Sequence, residues 1–327
     1  MKSETEWAIE AQGLVKHFGT TRAVDGVDLR VRRGAVYGVL GPNGAGKSTT
    51  LAMLATLIKP DAGNARIFGH DVLKEAHEVR QLIGVTGQAA SVDEKLSATE
   101  NLVIFARLLG LTPADAKRKA ATLLEEFGLS DAATRPLSKF SGGMRRRLDL
   151  ASSLLLQPPL VFLDEPTTGL DPRTRAQMWE TIRRLVATGS TVLLTTQYLD
   201  EADQLSDRIA VIDRGRVVAE GTADELKASV GSSSLSLLLR DPTDLERAGA
   251  IAARVLEVSV GMTPESGRLR APMRNPDRVT DLLLAFREGG IGLAELSVQK
   301  PTLDEVFLTI TGHGSGSVAA PVEGSAR

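Results

Sequence analysis

The apolar positions of this chain group into short runs over its first forty residues. Runs separated by glycine-containing turns extend from Trp7 to Leu40 and predict strands, the last of which, Val36 to Leu40, leads directly into a glycine-rich loop. After this loop, Ser48 to Ile58 has helical composition and stops before the turn Lys59 to Gly63. The pattern therefore predicts a strand, a loop and a helix in succession.

Residues 93–156 follow a different pattern. They lack strand-like runs and are rich in Ala, Leu, Glu and Arg, which predicts an inserted helical subdomain. Apolar runs return at Leu160 to Leu163 and Thr191 to Thr195 with a helical segment between them, and this alternation favours a parallel sheet. The runs Arg208 to Asp213 and Val217 to Ala219 flank a glycine turn and predict a hairpin.

The pattern changes again at Gly231 to Ser234, which we interpret as a linker. Beyond it, strand candidates near residues 235–240, 268–271 and 291–298 are separated by helical segments, and a last helix runs from about Thr302 to Thr311. We therefore expect a large α/β domain at residues 1–230 and a small α+β domain at 231–312. The small, polar residues 313–327 predict a disordered tail.

Composition narrows the classes of function. The 39 basic and 41 acidic residues give a net charge of −2, so no global field favours nucleic acid, and we expect no nucleic-acid partner. The absence of cysteine excludes disulfides, Cys-ligated zinc and thiol catalysis. Neither a secretory signal nor an apolar stretch of membrane-spanning length is evident, so we expect a cytoplasmic chain that does not cross a membrane by itself.

The glycine-rich loop matches the phosphate-binding pattern G-x-x-x-x-G-K-[ST] and lies between a predicted strand and helix, as the pattern requires. Its residues are Gly41, Pro42, Asn43, Gly44, Ala45, Gly46, Lys47 and Ser48. We expect loop amides at the positive end of the helix to bind phosphates, Lys47 to bridge the β- and γ-phosphates, Ser48 to bind Mg²⁺, and Thr49 to lie towards the α-phosphate. The alternative is a simple strand-to-helix turn.

The apolar run Leu160 to Leu163 ends in two carboxylates, Asp164 and Glu165. The carboxyl end of a strand is where ligands bind in open α/β sheets. We expect Asp164 to hold Mg²⁺ through water and Glu165 to orient or deprotonate the attacking water, since phosphoryl transfer depends mainly on positioning and charge. The alternative is a solvated strand end.

Residues Phe140 to Met144 read FSGGM and resemble LSGGQ, the signature of the ATP-binding-cassette (ABC) ATPases. The resemblance implies that Ser141, Gly142 and Gly143 contact the γ-phosphate of ATP bound by the opposite subunit, with Met144 in place of the usual Gln. The alternative is an ordinary helix start capped by serine. We interpret the following Arg145 to Arg147 as a solvated cluster beside the cap.

Other positions of the ABC pattern follow from the same resemblance. It implies that Phe18 stacks on adenine, that Gln88 is the glutamine of the Q-loop and a metal ligand with Ser48 and Asp164, and that Asp171 lies in the D-loop facing the partner. A core position for Phe18 and a helix N-cap for Asp171 are the alternatives.

The chain departs from the ABC pattern after the run Thr191 to Thr195. The family presents a histidine to the γ-phosphate here, whereas this chain has Gln197. A glutamine amide donates and accepts hydrogen bonds but carries neither a proton nor a positive charge. We therefore expect Gln197 to keep the catalytic contact and hydrolysis to be slow.

Four stretches together resemble one group within this family. They read FSGGMRRRLDLA, DEPTTGLDPR, LLTTQYLDEADQLSDRIAVID and PTLDEVFLTITG, similar to the daunorubicin/doxorubicin-resistance ATP-binding proteins of actinomycete drug exporters. The resemblance covers Ile9 to Gly312. It implies an α/β P-loop NTPase fold of the ABC type with an N-terminal antiparallel β subdomain, the inserted helical subdomain and the small C-terminal α+β domain.

The same resemblance implies the protein's ligands and partners. It implies an ATPase subunit of an exporter that uses ATP and Mg²⁺, pairs with a second copy of itself around two ATP molecules, and energises a separate integral-membrane permease from the cytoplasmic face of the cell membrane. We expect Gln88 and the adjoining stretch Ala89 to Asn101 to contact that permease, and Pro301 to Thr311 to dock on the other subunit. Two alternatives remain. The first is a soluble non-transport ABC ATPase, and the second is an unrelated P-loop kinase or GTPase; the FSGGM motif disfavours the second.

Overall fold

The chain forms two compact units, Met1–Ala223 and Asp224–Arg327. A computed structural model describes residues 6–86, 92–230, 233–273, 275–299 and 301–310. The predicted tail at 313–327 lies outside the described residues. The linker prediction also falls partly outside them, and Ser234 already belongs to a strand.

The first unit contains ten strands and seven α-helices among its described residues. The strands are β1 (Trp7–Phe18), β2 (Thr21–Arg32), β3 (Val36–Leu40), β4 (Ala62–Ile67), β5 (His70–Asp71), β6 (Ile83–Thr86), β7 (Leu160–Asp164), β8 (Thr191–Thr196), β9 (Arg208–Asp213) and β10 (Arg216–Gly221). The helices are α1 (Lys47–Leu54), α2 (Ala76–Leu82), α3 (Ala98–Leu108), α4 (Pro113–Glu126), α5 (Gly142–Ser153), α6 (Pro172–Ala187) and α7 (Leu199–Leu205).

A six-stranded sheet in the order β10-β9-β3-β8-β7-β6 is the centre of this unit. Strands β9, β3, β8, β7 and β6 are mutually parallel, and β10 pairs antiparallel with β9 as the predicted hairpin. Every residue of β3 and β7 is buried. Because helices or a second sheet cover both faces of a parallel sheet, its strands are apolar throughout rather than alternating. The prediction of a parallel sheet is confirmed.

The two faces of the central sheet support two separate cores. On β7, Val161 and Leu163 pack with helices α3 to α6, whereas Leu160 and Phe162 pack with α1 and the antiparallel sheet β2-β1-β4-β5. Successive side chains of a strand point to opposite faces, so one apolar run serves both cores. The region 93–156 carries α3, α4 and α5 on the first of these faces.

The second unit is a small α+β domain, as the sequence predicts. Helix α8 (Ala223–Ser229) begins at the boundary, and the unit then contains β11 (Ser234–Leu239), α9 (Leu245–Leu256), β12 (Gly261–Thr263), β13 (Arg268–Pro272), α10 (Arg278–Glu288), β14 (Leu293–Gln299) and α11 (Leu303–Ile310). The strands form an antiparallel sheet in the order β12-β13-β11-β14. Alternate residues of β11, such as Leu235 and Leu237, pack with Phe286 of α10. The hydrophobic pattern does not predict strand β12, because this strand has only three residues and all of them are exposed.

Candidate functional site

Three parallel strands end at the same edge of the central sheet. Strand β3 leads into the phosphate loop, β7 ends at Asp164, and β8 lies between them. Thr195 of β8 is opposite Val39 of β3 on one side and Asp164 on the other. The fold therefore brings the loop and the acids together although more than a hundred residues separate them in the chain.

The phosphate loop ends where α1 begins. Gly46 is the N-cap of α1 with φ 104°. A Cβ atom there would lie 2.4 Å from the carbonyl oxygen of Ala23, so only glycine fits this turn. The loop thus meets the positive end of a helix dipole, which favours a bound anion.

Lys47 is the buried cation of the site. Its side chain is only 4% exposed, and its Nζ donates hydrogen bonds to the carbonyl oxygens of Gly41 (2.8 Å) and Pro42 (3.1 Å). The same Nζ lies 3.3 Å from Oε1 of Glu165. The predicted phosphate-binding cation and the predicted catalytic acid are therefore in direct contact.

Ser48 and Asp164 form the second link between the loop and β7. The Ser48 hydroxyl donates to Oδ1 of Asp164 at 2.9 Å, and the Thr195 hydroxyl donates to the same oxygen at 2.5 Å. Sequence reasoning misses Thr195 as part of the site. A polar residue at the buried end of an apolar strand is the feature of the sequence that indicates such a role. A hydroxyl and a carboxylate are hard oxygen donors of the type that Mg²⁺ prefers, so these two predicted ligands fit the metal.

Among the described residues, no cluster of three or more His, Asp or Glu side chains forms a metal cage. Mg²⁺ is commonly bound through one or two protein groups with phosphates and waters completing its shell. A site built from Ser48 and Asp164 is of this kind. The third predicted metal ligand, Gln88, lies outside the described residues.

Glu165 adopts a left-handed backbone conformation, with φ 49°. Such a conformation is uncommon for a residue with a side chain and persists only where the surroundings enforce it. The Glu165 N–H donates to both the carbonyl and the hydroxyl oxygen of Thr195, each at 3.1 Å. Its Oε2 accepts a hydrogen bond from the Thr168 hydroxyl at 3.2 Å. Lys47 beside Oε1 and Thr168 at Oε2 therefore hold the Glu165 carboxylate from two sides.

The prediction that Arg145 to Arg147 form a solvated cluster is wrong for Arg146 and Arg147. Arg146 donates to backbone carbonyls at the end of β7, and Arg147 donates to the carbonyl of Phe127 at 3.0 Å. Burial lowers the pKa of both guanidinium groups from the ordinary arginine value. Consecutive helical residues point in different directions, and here those directions meet the end of β7 and the end of α4 rather than solvent.

Glu201 is a further buried acid, and sequence reasoning misses it. It is fully buried on α7, and its Oε1 accepts hydrogen bonds from the Thr167 hydroxyl (2.8 Å) and from Nε1 of Trp179 (3.2 Å). Burial raises the pKa of this carboxyl. Glu201 therefore ties the helix that follows Gln197 to the segment that follows Glu165.

Ser141 caps α5, and Asp171 caps α6. The Ser141 hydroxyl accepts from the Met144 N–H at 3.2 Å, and Oδ1 of Asp171 accepts from the Thr174 N–H at 3.0 Å. Hydrogen bonds from Thr174 lower the pKa of Asp171. Both capping alternatives are therefore correct, and both are compatible with the roles that the resemblance implies.

Comparison with known proteins identifies the family of this chain. The family model described as ABC transporter matches residues 24–168. The daunorubicin/doxorubicin resistance ATP-binding protein DrrA of Streptomyces peucetius is 54% identical over 96% of this chain and 95% of that protein. This chain belongs to the ABC transporter ATP-binding subunits of that drug-resistance group.

Further relatives agree with this membership. The doxorubicin resistance ATP-binding protein DrrA of Mycobacterium tuberculosis (strain ATCC 25618 / H37Rv) is 46% identical over 98% of this chain and 99% of that protein. The linearmycin resistance ATP-binding protein LnrL of Bacillus subtilis (strain 168) is 36% identical over 93% and 98%. A solved ATP-binding subunit of an ABC transporter superposes with a TM-score of 0.61 at 30% identity, covering 68% of this chain and 92% of that chain.

The ABC fold predicted from the sequence is confirmed by these comparisons. An ABC domain binds ATP, and it implies ATPase activity. The relatives favour the subunit of an efflux transporter over a soluble non-transport ATPase. Within the described ranges, no helix of this ABC subunit is both long and apolar enough to cross a bilayer.

The remaining predicted residues of this ABC subunit lie as follows. Gln197 directly follows β8, two residues after Thr195, and is half-buried. Phe18 ends β1 and is 52% exposed, so the alternative of a core position is wrong. The assignments to γ-phosphate and adenine remain predictions.

The signature of this ABC subunit is packed tightly at one of its two glycines. A Cβ atom on Gly143 would lie 2.4 Å from Cγ2 of Thr174, whereas one on Gly142 would meet nothing within 4 Å. We expect Gly143→Ala to lower the free energy of unfolding by about 1–3 kcal/mol, as overpacking does, and Gly142→Ala to cause no loss. Thermal unfolding measures both.

A suppressor tests the origin of the Gly143 effect. Thr174→Ser removes the clashing methyl group but keeps the hydroxyl that donates to Asp171. The double variant Gly143→Ala/Thr174→Ser should recover most of the lost stability. If it stays as unstable as Gly143→Ala alone, the contact with Thr174 is not the cause.

Proposed function

We propose that this chain is the Mg²⁺-dependent ATPase subunit of a drug exporter, acting from the cytoplasmic face of the membrane on a separate integral-membrane permease. The observation that carries this proposal is the contact of Lys47 with Glu165 and of Ser48 with Asp164, the last residue of β7. Resistance to daunorubicin and doxorubicin, which the name of the Streptomyces peucetius relative states, supports an antibiotic or other hydrophobic compound as the transported class.

In this proposal two copies enclose two ATP molecules. Lys47 and the loop amides bind the phosphates, Glu165 orients and deprotonates the attacking water, and Gln197 contacts the γ-phosphate. Ser141 to Gly143 of the second copy complete the site. Support comes from a dimeric ATP-binding cassette bound to ADP and Pi, which is 25% identical with a TM-score of 0.60 and covers 65% of this chain and 98% of that chain.

Ser48 and Asp164 would hold Mg²⁺, which when bound neutralises charge on the phosphate oxygens. Thr195 keeps the Asp164 carboxylate oriented, because its hydroxyl donates to Oδ1. The protein's own contribution is therefore to fix two oxygen donors, one at the start of α1 and one at the end of β7, before the nucleotide arrives.

The C-terminal unit has an assembly role in this proposal, with the nucleotide-binding domain at residues 1–230 and the accessory domain at 231–312. Helix α11 buries Leu303 and Val306 and leaves Leu308 46% exposed. This exposed apolar side supports docking of the segment Pro301 to Thr311 on the other subunit.

Gln197 gives a specific prediction about turnover. Gln197→Ala removes the amide and should lower ATP hydrolysis by about tenfold, as loss of one to two hydrogen bonds of about 0.5–1.5 kcal/mol each implies. Gln197→His retains a donor at the same place and should keep more activity than Gln197→Ala. Steady-state ATPase rates decide this, and equal rates for Gln197→Ala and the parent would exclude the role.

Transport itself is tested in inside-out vesicles that contain the chain with the membrane protein that copurifies with it. We expect ATP-dependent accumulation of daunorubicin, and its loss with Glu165→Gln. Failure of any membrane protein to copurify, with ATP hydrolysis intact, would leave an ATPase without the exporter role.

A further inference from the structure

Three adjacent arginines near the start of α5 contact three different parts of the first unit. Arg145 pairs with Glu94, ahead of α3. Arg147 donates to the carbonyl of Phe127 at the end of α4. Arg146, between them, reaches the end of β7, where the predicted catalytic acid lies.

Arg146 binds three consecutive carbonyl groups. Its Nη2 donates to the carbonyl oxygens of Asp164 (2.6 Å) and Glu165 (3.0 Å), and its Nε donates to that of Pro166 (3.2 Å). The planar guanidinium fork has donors at fixed angles, which a lysine ammonium lacks. A partly buried cation needs such partners, since desolvation is costly.

Glu165 is consequently held at both ends of its backbone. Thr195 accepts its N–H, and Arg146 donates to its carbonyl, while φ remains in the left-handed region. A strained conformation depends on the groups that enforce it. The position of the Glu165 carboxylate beside Lys47 therefore depends on where Arg146 lies.

Arg146 belongs to the same helix as the signature glycines. It lies four residues after Gly142, about one turn into α5. A cavity of about 420 Å³ lies beside this turn, lined by Gly142, Arg146, Glu165 and Thr168 among others. Beside this cavity, the hydrogen bonds of Arg146 connect α5 to residues 164–166.

We propose that Arg146 is a positioning residue that couples the two ATP sites of the dimer. The inference rests on the proposed ATP-sandwich dimer, in which Ser141 to Gly143 serve the partner's nucleotide while Glu165 serves the chain's own. ATP contacted by the signature at one site would, through α5 and Arg146, set the backbone of Glu165 at the other. Coupling between sites commonly changes affinity or activity by about 5- to 150-fold.

The first test compares ATP dependence of hydrolysis by the full-length chain. The parent should show a Hill coefficient above 1, and Arg146→Gln should lower kcat by about tenfold and bring the Hill coefficient to about 1. Arg146→Lys keeps the charge but not the fork, so it should restore only part of the loss. Arg145→Gln, the same change one residue earlier, should keep the parental Hill coefficient.

The second test separates coupling from a local structural effect. In mixed dimers whose second chain carries Lys47→Ala, only one site binds ATP, and the signature of the intact chain is not engaged. Adding Arg146→Gln to the intact chain should then lower turnover by a clearly smaller factor than in the homodimer, because only the loss of backbone support at Glu165 remains and the coupling is already absent. A loss as large as in the homodimer would overturn the proposal, as would a parental Hill coefficient in homodimeric Arg146→Gln.

Failure of this inference and failure of the proposed function give different results. If Glu165→Gln forms no ATP-dependent dimer, the sandwich itself is wrong. If that dimer forms and Arg146→Gln keeps the parental Hill coefficient, only the coupling by Arg146 is wrong.

Discussion

Glu165→Gln is expected to lower the rate of ATP hydrolysis by about 100-fold or more, the usual contribution of a general base, while ATP still binds. The amide keeps the size of the side chain but cannot take a proton from water. Its backbone remains held by Thr195 and Arg146, so the fold of the site should persist. Steady-state hydrolysis and equilibrium ATP binding give the two readouts.

The same variant should accumulate as an ATP-bound dimer, because hydrolysis no longer reopens it. Size-exclusion chromatography with and without ATP measures this change. The matched control is Glu180→Gln, an identical substitution at an exposed glutamate paired with Arg183 on α6, which should hydrolyse ATP at the parental rate. Parental turnover by Glu165→Gln would show that another group activates the water.

Lys47→Ala is expected to weaken ATP binding by about 100-fold to several thousand-fold. Loss of one partner of a buried charge pair costs about 3–5 kcal/mol, and each 1.4 kcal/mol is about tenfold in affinity. The variant removes the cation predicted to meet the phosphates and leaves the Glu165 carboxylate without its neighbour at 3.3 Å. Titration with a fluorescent ATP analogue measures the affinity.

Two comparisons make the Lys47 result specific. Lys117→Ala removes an exposed lysine on α4 and should bind ATP as the parent does. Circular dichroism should show Lys47→Ala to be folded, since the Gly46 turn that shapes the loop is unchanged. Parental ATP affinity in folded Lys47→Ala would contradict the assigned phosphate contact.

The sequence alone determined the elements whose chemistry is local. The phosphate loop, the strand that ends in Asp164 and Glu165, and the cap at Ser141 are contiguous patterns, so periodicity and glycine placement suffice to find them. The parallel sheet follows from apolar runs that alternate with helices, and the small α+β unit follows from the change of pattern near Gly231.

The tertiary structure alone decided how these elements combine. Thr195 reaches Asp164 because β8 lies between β3 and β7, an order of strands that no local pattern encodes. Arg146 binds the end of β7 rather than solvent because the fold brings these carbonyl groups within reach of α5. Phe18 is half exposed at the end of β1, with Nζ of Lys16 5.8 Å from the centroid of its ring. Local patterns fix backbone geometry and burial periodicity, whereas partners distant in sequence depend on which faces the whole fold brings together.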